Sequence, residues 1–263
     1  MARQSVWTGF VAGAALAAVV FVAVAAVRPS DGSPVAGMQE PHGEWVAYAG
    51  AGGDSVRAYV VYPERSDPAP GVIVIHEIYG MSDWIQAVAD TFAMRGYVAI
   101  APDLLTRRGG TANIEEPRRA IGSLPPDSIG VDLDATFAYL DGLPAVRNAD
   151  IGVIGFCWGG SQSFRYATRN PNLKAAIVCY GGAPDAEVMA SIRAPVFGVY
   201  AEDDARINAG IPDAEAAMER HGKTYRTTIY EGVGHAFLRR GPPEVAARAW
   251  SDVFQFLGEQ TGR

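Results

Sequence analysis

The sequence predicts an α/β protein built on a doubly wound, mostly parallel sheet with helices on both faces. Three observations carry this. Short continuous apolar runs recur along the chain: GVIVIHE (71–77), YVAIAPD (97–103), IGVIGF (151–156), AAIVCY (175–180) and PVFGVYA (195–201). Each has the length and composition of a strand buried on both faces. Segments of helical period alternate with these runs, as parallel strands joined by crossovers require. Of the 263 residues, 49% are apolar and 19% are charged with both signs mixed, which suits one large domain with a sizeable core.

The chain opens with a segment of another kind. Trp7 to Val27 (WTGFVAGAALAAVVFVAVAAV) carries no charge. A helix of this length, rising about 1.5 Å per residue, crosses a bilayer core. Arg3 and the free amine precede it, and Ala23, Ala25 and Ala26 close it. Residues 1–28 therefore read as a signal peptide or an uncleaved membrane anchor. The charge bias places the body on the exported side, periplasmic or extracellular. Residues 29–43 (PSDGSPVAGMQEPHG), rich in Pro, Gly and Ser, read as a flexible linker, and 44–263 as the folded domain.

Within that domain, WVAYAG and VRAYVVYP flank AGGD and read as an antiparallel pair joined by a Gly-rich turn. After the strand at 71–77, Trp84, Ile85, Val88, Phe92 and Met94 recur at helical spacing until Gly96. The strand at 97–103 leads into an irregular stretch, 104–123, that carries Arg107, Arg108, Arg118 and Arg119. A helix is expected around 129–140, then strand 151–156 and a helix opening at Cys157. Strands at 175–180 and 195–201, a helix around 213–220, the strand YRTTIYE and a final helix over about 243–257 complete the alternation.

Net charge is −7 and no basic block exceeds two residues, which argues against nucleic acid as a partner. Two cysteines make no disulfide framework, and four singly scattered histidines make no zinc-site spacing. No metal and no cofactor is called for. Any membrane contact would come through the N-terminal segment.

In sheets of this type ligands bind at the carboxyl ends of the strands, so reactive residues just after strands matter most. Cys157 follows IGVIGF and opens a helix, with Gly155 and Gly159 two residues to either side. A nucleophile held between strand and helix needs a sharp turn, where side chains at minus two and plus two would collide. The helix N-terminus stabilises a thiolate, and the Trp158 N–H is placed to donate to an oxyanion. Cys179 lies mid-strand without glycine flanks and reads as a core residue. His235, in EGVGHAF after the YRTTIYE strand, is a candidate general base. The acid that orients it should follow PVFGVYA, where the chain reads Glu202, Asp203, Asp204. Asp204 is favoured and Asp203 stands second. Glu77 ends the 71–77 strand, where a carboxylate needs a partner. Ile78 N–H is a candidate second oxyanion donor, and His76 reads as a packed histidine behind the site.

HEIYG, GFCWGG, YAEDDARIN and GVGHAFLRR, in this order, resemble the dienelactone hydrolase family of the α/β-hydrolase superfamily over roughly Glu44 to Arg263. The resemblance implies the α/β-hydrolase fold and a cysteine hydrolase that opens a lactone or cleaves an ester, a small-molecule substrate. Carried over by position, Cys157 matches the nucleophile, Asp204 the triad acid, His235 the base, and Glu77 the carboxylate that pairs with the thiol. Ile78 and Trp158 match the oxyanion amides. Arg239, four residues after the histidine, matches an arginine that holds a substrate carboxylate. Tyr79 and a second arginine, Arg118 or Arg119, are further substrate-contact candidates. Two alternatives remain on the same fold: a thiol redox or sensing protein using Cys157, and a broad carboxylesterase.

Overall fold

The structure is a computed structural model that describes residues 42–50 and 54–262. The apolar run at 7–27 and residues 29–41 of the expected linker lie outside the described residues. No helix among the described residues is long and apolar enough to cross a membrane.

Strand β1 (His42–Ala49) pairs antiparallel with β2 (Ser55–Tyr62), His42 facing Tyr62 and Ala49 facing Ser55. The hairpin expected from alternation is therefore present, and it takes in His42 and Gly43, which the sequence reading left in the linker. The remaining strands are β3 (Ala69–Ile75), β4 (Val98–Asp103), β5 (Val146–Phe156), β6 (Ala175–Cys179), β7 (Val196–Asp203) and β8 (Tyr225–Gly234). They form one eight-stranded sheet in the order β1-β2-β4-β3-β5-β6-β7-β8. β2 meets β4 antiparallel, and every pairing from β4 to β8 is parallel. The chain moves from β3 outward to β4, then returns to lay β5 on the other side of β3. That reversal opens a crevice at the carboxyl ends of β3 and β5.

Helices α1 (Asp83–Met94) and α8 (Pro243–Thr261) cover one face of the sheet. Helices α3 (Pro126–Asp141), α4 (Trp158–Arg169) and α6 (Ile211–Arg220) cover the other. β3 shows why its sequence is apolar at every step. Ile73 and Ile75 pack with Leu133, Phe137 and Phe164, while Val72 and Val74 pack with Ile85, Phe92, Val253 and Leu257. Burying each such side chain contributes about 1.5–3 kcal/mol, so a strand wetted on either face would lose its place in the sheet.

The stretch expected to be irregular, 104–123, holds two 3-10 turns and a short helix, α2 (Pro117–Gly122). Leu104, Leu105 and Ile121 anchor it in the core at no regular spacing, and polar tertiary contacts shape the rest. Asp103 accepts from Leu105 N–H at 3.1 Å, Thr111 N–H at 2.7 Å and Thr111 Oγ1 at 2.7 Å. Arg107 bonds both oxygens of Asp132 on α3, at 3.0 Å from Nε and 2.7 Å from Nη2. Two more short helices, α5 (Ala205–Asn208) and α7 (Phe237–Arg240), follow β7 and β8.

Candidate active site

Cys157 occupies the turn between β5 and α4 with φ 57° and ψ −116°, a backbone conformation that L residues rarely adopt. Its N–H donates to Cys179 O at 3.0 Å, which ties the turn to the adjacent strand β6. The flanking glycines are required by contact. A Cβ on Gly155 would lie 1.9 Å from Gly159 O; one on Gly159 would lie 2.4 Å from His76 O and 2.5 Å from Ile75 O. The start of α4 thus rests directly on the backbone of β3, and the thiol, half-buried, is presented at the crevice.

His235 follows the last residue of β8, and Ala236 after it takes φ 65° before α7 begins. Its Nδ1–H donates to Asp204 Oδ2, and the Cys157 thiol is close enough to act on the ring's protonation. Asp204 is the N-terminal cap position of α5 and is buried, 7% exposed. Its two acidic neighbours are engaged elsewhere. Glu202 Oε2 accepts from Gly232 N–H at 2.9 Å, and Asp203 pairs with Gly234 across the β7–β8 ladder. Of the three acids, Asp204 is the one that reaches the imidazole.

The imidazole's pKa is raised from 6.5 to about 9. The hydrogen bond with Cys157 is the main cause, burial opposes it, and the bond to Asp204 adds to it. A raised folded-state pKa contributes stability that is complete below pH 6.5 and disappears as pH rises through about 9. Removing the thiol removes the largest cause. In Cys157→Ala, the His235 titration followed by ring-proton NMR is expected to move down from about 9 toward 6.5. A midpoint that stays near 9 would mean the thiol does not act on the ring.

Glu77 lies just beyond β3, 3% exposed, and its Oε2 accepts from Arg239 Nη1 at 2.9 Å. The resemblance implied a carboxylate paired with the thiol. Here the carboxylate is taken by the guanidinium. A carboxylate this buried is held best by a full opposite charge. Arg239, on α7, is 32% exposed in its side chain and also lies 5.8 Å from the Tyr79 and Trp84 ring centroids. Tyr79 is 38% exposed and lines a cavity of roughly 350 Å³ with Glu115, Glu116, Pro117, Arg118 and Arg119. Both candidate second arginines reach that cavity; neither touches Glu77 or Cys157 in any resolved bond.

The loop after β3 is pinned at several points. Gly80 N–H donates to Glu77 O at 3.1 Å, and Met81 N–H to Thr111 Oγ1 at 3.1 Å. Ile78 N–H makes no hydrogen bond to the described residues, and Trp158 N–H, first in α4, has no acceptor within the helix. Ile78 lies in the loop just past β3, and Trp158 opens α4 next to the thiol's turn.

Sequence reasoning missed Tyr180. It immediately follows β6, its φ is 39°, and its ring meets His235 edge-on at 5.1 Å. Its hydroxyl is buried without a hydrogen-bond partner among the described residues. The signal was available: a polar residue just past a strand end. The apolar context of AAIVCY concealed it. Cys179, one residue earlier, is fully buried, and burial pushes its thiol pKa up, as suits a core residue. Among the described residues no cluster of three His, Cys, Asp or Glu side chains is placed to hold a metal ion.

A parallel-centred sheet in this strand order, with a thiol on a strained turn after β5 and a histidine after β8, defines an α/β-hydrolase. The dienelactone hydrolase family model matches residues 56–261, and the chain belongs to that family. It is 34% identical over 217 residues to a Methylorubrum extorquens protein named "Putative carboxymethylenebutenolidase", covering 77% of this chain and 75% of the relative. An Escherichia coli K12 protein of the same name is 31% identical over 225 residues, covering 79% of this chain and 82% of the relative. A crystal structure described as a "Putative Dienelactone Hydrolase" from Klebsiella pneumoniae superposes with TM-score 0.76 at 26% identity, covering 84% of this chain and 99% of that one. The protein is accordingly a hydrolase of ester or lactone bonds.

Proposed function

We propose that the protein hydrolyses a lactone or ester that carries a carboxylate, through an acyl-enzyme on Cys157. The observation that carries this is Cys157 on its strained turn acting on a His235 ring that is hydrogen-bonded to Asp204, with two unengaged amide N–H groups in the adjoining turns. The thiolate sulfur attacks the substrate carbonyl, and the oxyanion is received by Ile78 and Trp158 N–H. The tetrahedral species collapses to a thioester. His235 gives its Nε2 proton to the departing alkoxide or enolate, then takes a proton from water. That water attacks the thioester, the carboxylic acid leaves, and the thiol is restored. Asp204 holds the ring orientation and stabilises the imidazolium throughout. An enol or ester oxygen leaves readily from a thiolate adduct, whereas an amide nitrogen must be protonated first, which favours an ester or lactone over a peptide.

Arg239 supports a substrate carboxylate: Glu77 anchors its Nη1, and the partly exposed guanidinium flanks the exposed Tyr79. A panel of lactones and esters with and without a carboxylate tests the substrate class on the whole chain. The expected outcome is at least a tenfold preference (about 1.4 kcal/mol) for carboxylate-bearing substrates in kcat/KM, lost in Arg239→Ala. Equal turnover of both sets would instead define a broad carboxylesterase.

A further inference from the structure

His76 takes no part in the steps above, yet it is anchored to the end of β4 and touches both loops that supply the amide donors. Its Nε2 accepts from Leu104 N–H at 3.2 Å. A nitrogen that accepts from an amide carries no proton, so in the neutral ring the hydrogen resides on Nδ1. That Nδ1–H donates to Glu77 O at 2.8 Å. The ring is fully buried, and burial drives its pKa down, which keeps this neutral tautomer in place. The ring face stacks on the Trp158 indole, with centroids 5.5 Å apart and planes 18° from parallel. Its own carbonyl oxygen is the atom on which Gly159 closes, 2.4 Å from where a Cβ would stand.

The consequence follows from the planarity of the peptide unit. Glu77 C=O and Ile78 N–H belong to one rigid plane and point in opposite directions. Whatever fixes the carbonyl fixes the amide. Glu77 O is held from two sides, by His76 Nδ1–H and by Gly80 N–H at 3.1 Å. Donation to that carbonyl also polarises the peptide and strengthens its N–H as a donor.

We propose that His76, through its Nδ1–H bond to Glu77 O and its stacking on Trp158, is a positioning residue for the oxyanion site: it aims the Ile78 N–H and braces the Trp158 turn against it. The proposal rests on the reading that these two amides receive the oxyanion. It assigns to a core histidine the alignment of donors supplied by two separate strand ends, β3 and β5.

Two substitutions in the full chain separate this role from plain packing. His76→Phe keeps a ring on Trp158 and removes both hydrogen bonds. His76→Asn keeps a donor close to the Nδ1 position. Removing an oxyanion donor outright costs about 10²–10³ in kcat, so misaiming one is expected to cost about 10–100-fold. His76→Phe should lower kcat for p-nitrophenyl esters by that amount with KM within about twofold, and His76→Asn should recover most of the loss. Alkylation of Cys157 by iodoacetamide forms no oxyanion, so its rate should stay within about threefold in both variants. Full kcat in His76→Phe, a parallel fall in alkylation, or a folded His76→Asn no better than His76→Phe would each overturn the proposal. If neither variant folds, the ring ¹⁵N shifts of the wild-type protein decide. A protonated Nδ1 with unprotonated Nε2 supports the role, and the opposite tautomer removes it. A wild-type protein that is alkylated but turns over no ester would count against the hydrolase mechanism, and the tautomer measurement stands apart from that result.

Discussion

Replacing Cys157 with alanine is expected to lower kcat toward p-nitrophenyl esters by at least about 10⁴-fold, since loss of the nucleophile in a comparable array costs about 10⁶. The remaining amides and His235 still bind and polarise a carbonyl, but no covalent route is left. The fold should be little changed. The side chain is half-buried, and alanine removes one sulfur from a turn whose shape is set by Gly155 and Gly159. Stability measured by urea unfolding above about pH 9, where the His235 charge no longer contributes, should therefore stay within about 1 kcal/mol of wild type, the ordinary range for a modest substitution. Turnover above a tenth of wild type would sink the assignment of Cys157 as nucleophile.

Gly159→Ala is expected to do the reverse, removing the fold and the activity with it. Its Cβ would meet two backbone carbonyl oxygens, His76 O at 2.4 Å and Ile75 O at 2.5 Å. Neither can swing aside as a side chain can. Relief requires lifting α4 from β3, which opens the centre of the sheet. The expected cost exceeds about 4 kcal/mol, beyond the usual range for point substitutions. The readout is the midpoint of urea unfolding, or recovery of soluble protein where the variant fails to fold. Gly122→Ala is the matching control. It closes α2 with nothing within 4 Å of the added atom, and a helical Gly→Ala change is expected to gain about 0.5–1 kcal/mol. Equal stabilities for the two variants would refute the steric account.

The glycine spacing around Cys157 was legible because it encodes a local collision: Gly155 meets Gly159, four residues on. The strands were legible because burial on both faces leaves an apolar run with few alternatives. The choice among Glu202, Asp203 and Asp204 was only half legible. All three follow the same strand, and what separates them is the β7–β8 ladder, which pairs Asp203 with Gly234 and turns Asp204 toward His235. The end of β8 was read too short. It continues to Gly234, so the histidine stands directly at a strand end. The Glu77–Arg239 pair joins residues 162 apart in sequence, and no local pattern announces such a contact. The segment 104–123 was opaque for a related reason. Its order comes from three scattered core residues, Leu104, Leu105 and Ile121, and from the polar bonds of Asp103, Thr111 and the Arg107–Asp132 pair, and none of these leaves a periodic trace.

The strand order has a consequence for how the enzyme comes into being. The groups at the site arrive from the ends of β3, β5, β7 and β8, spread from Glu77 to Arg239. A nascent chain that has laid down β3 to β6 already holds the thiol and both amides, but neither His235 nor Asp204. It carries a sulfur without its base, unable to complete a turnover. On the proposed mechanism, reactivity toward esters would be withheld until the last parallel strand docks and completes the sheet edge.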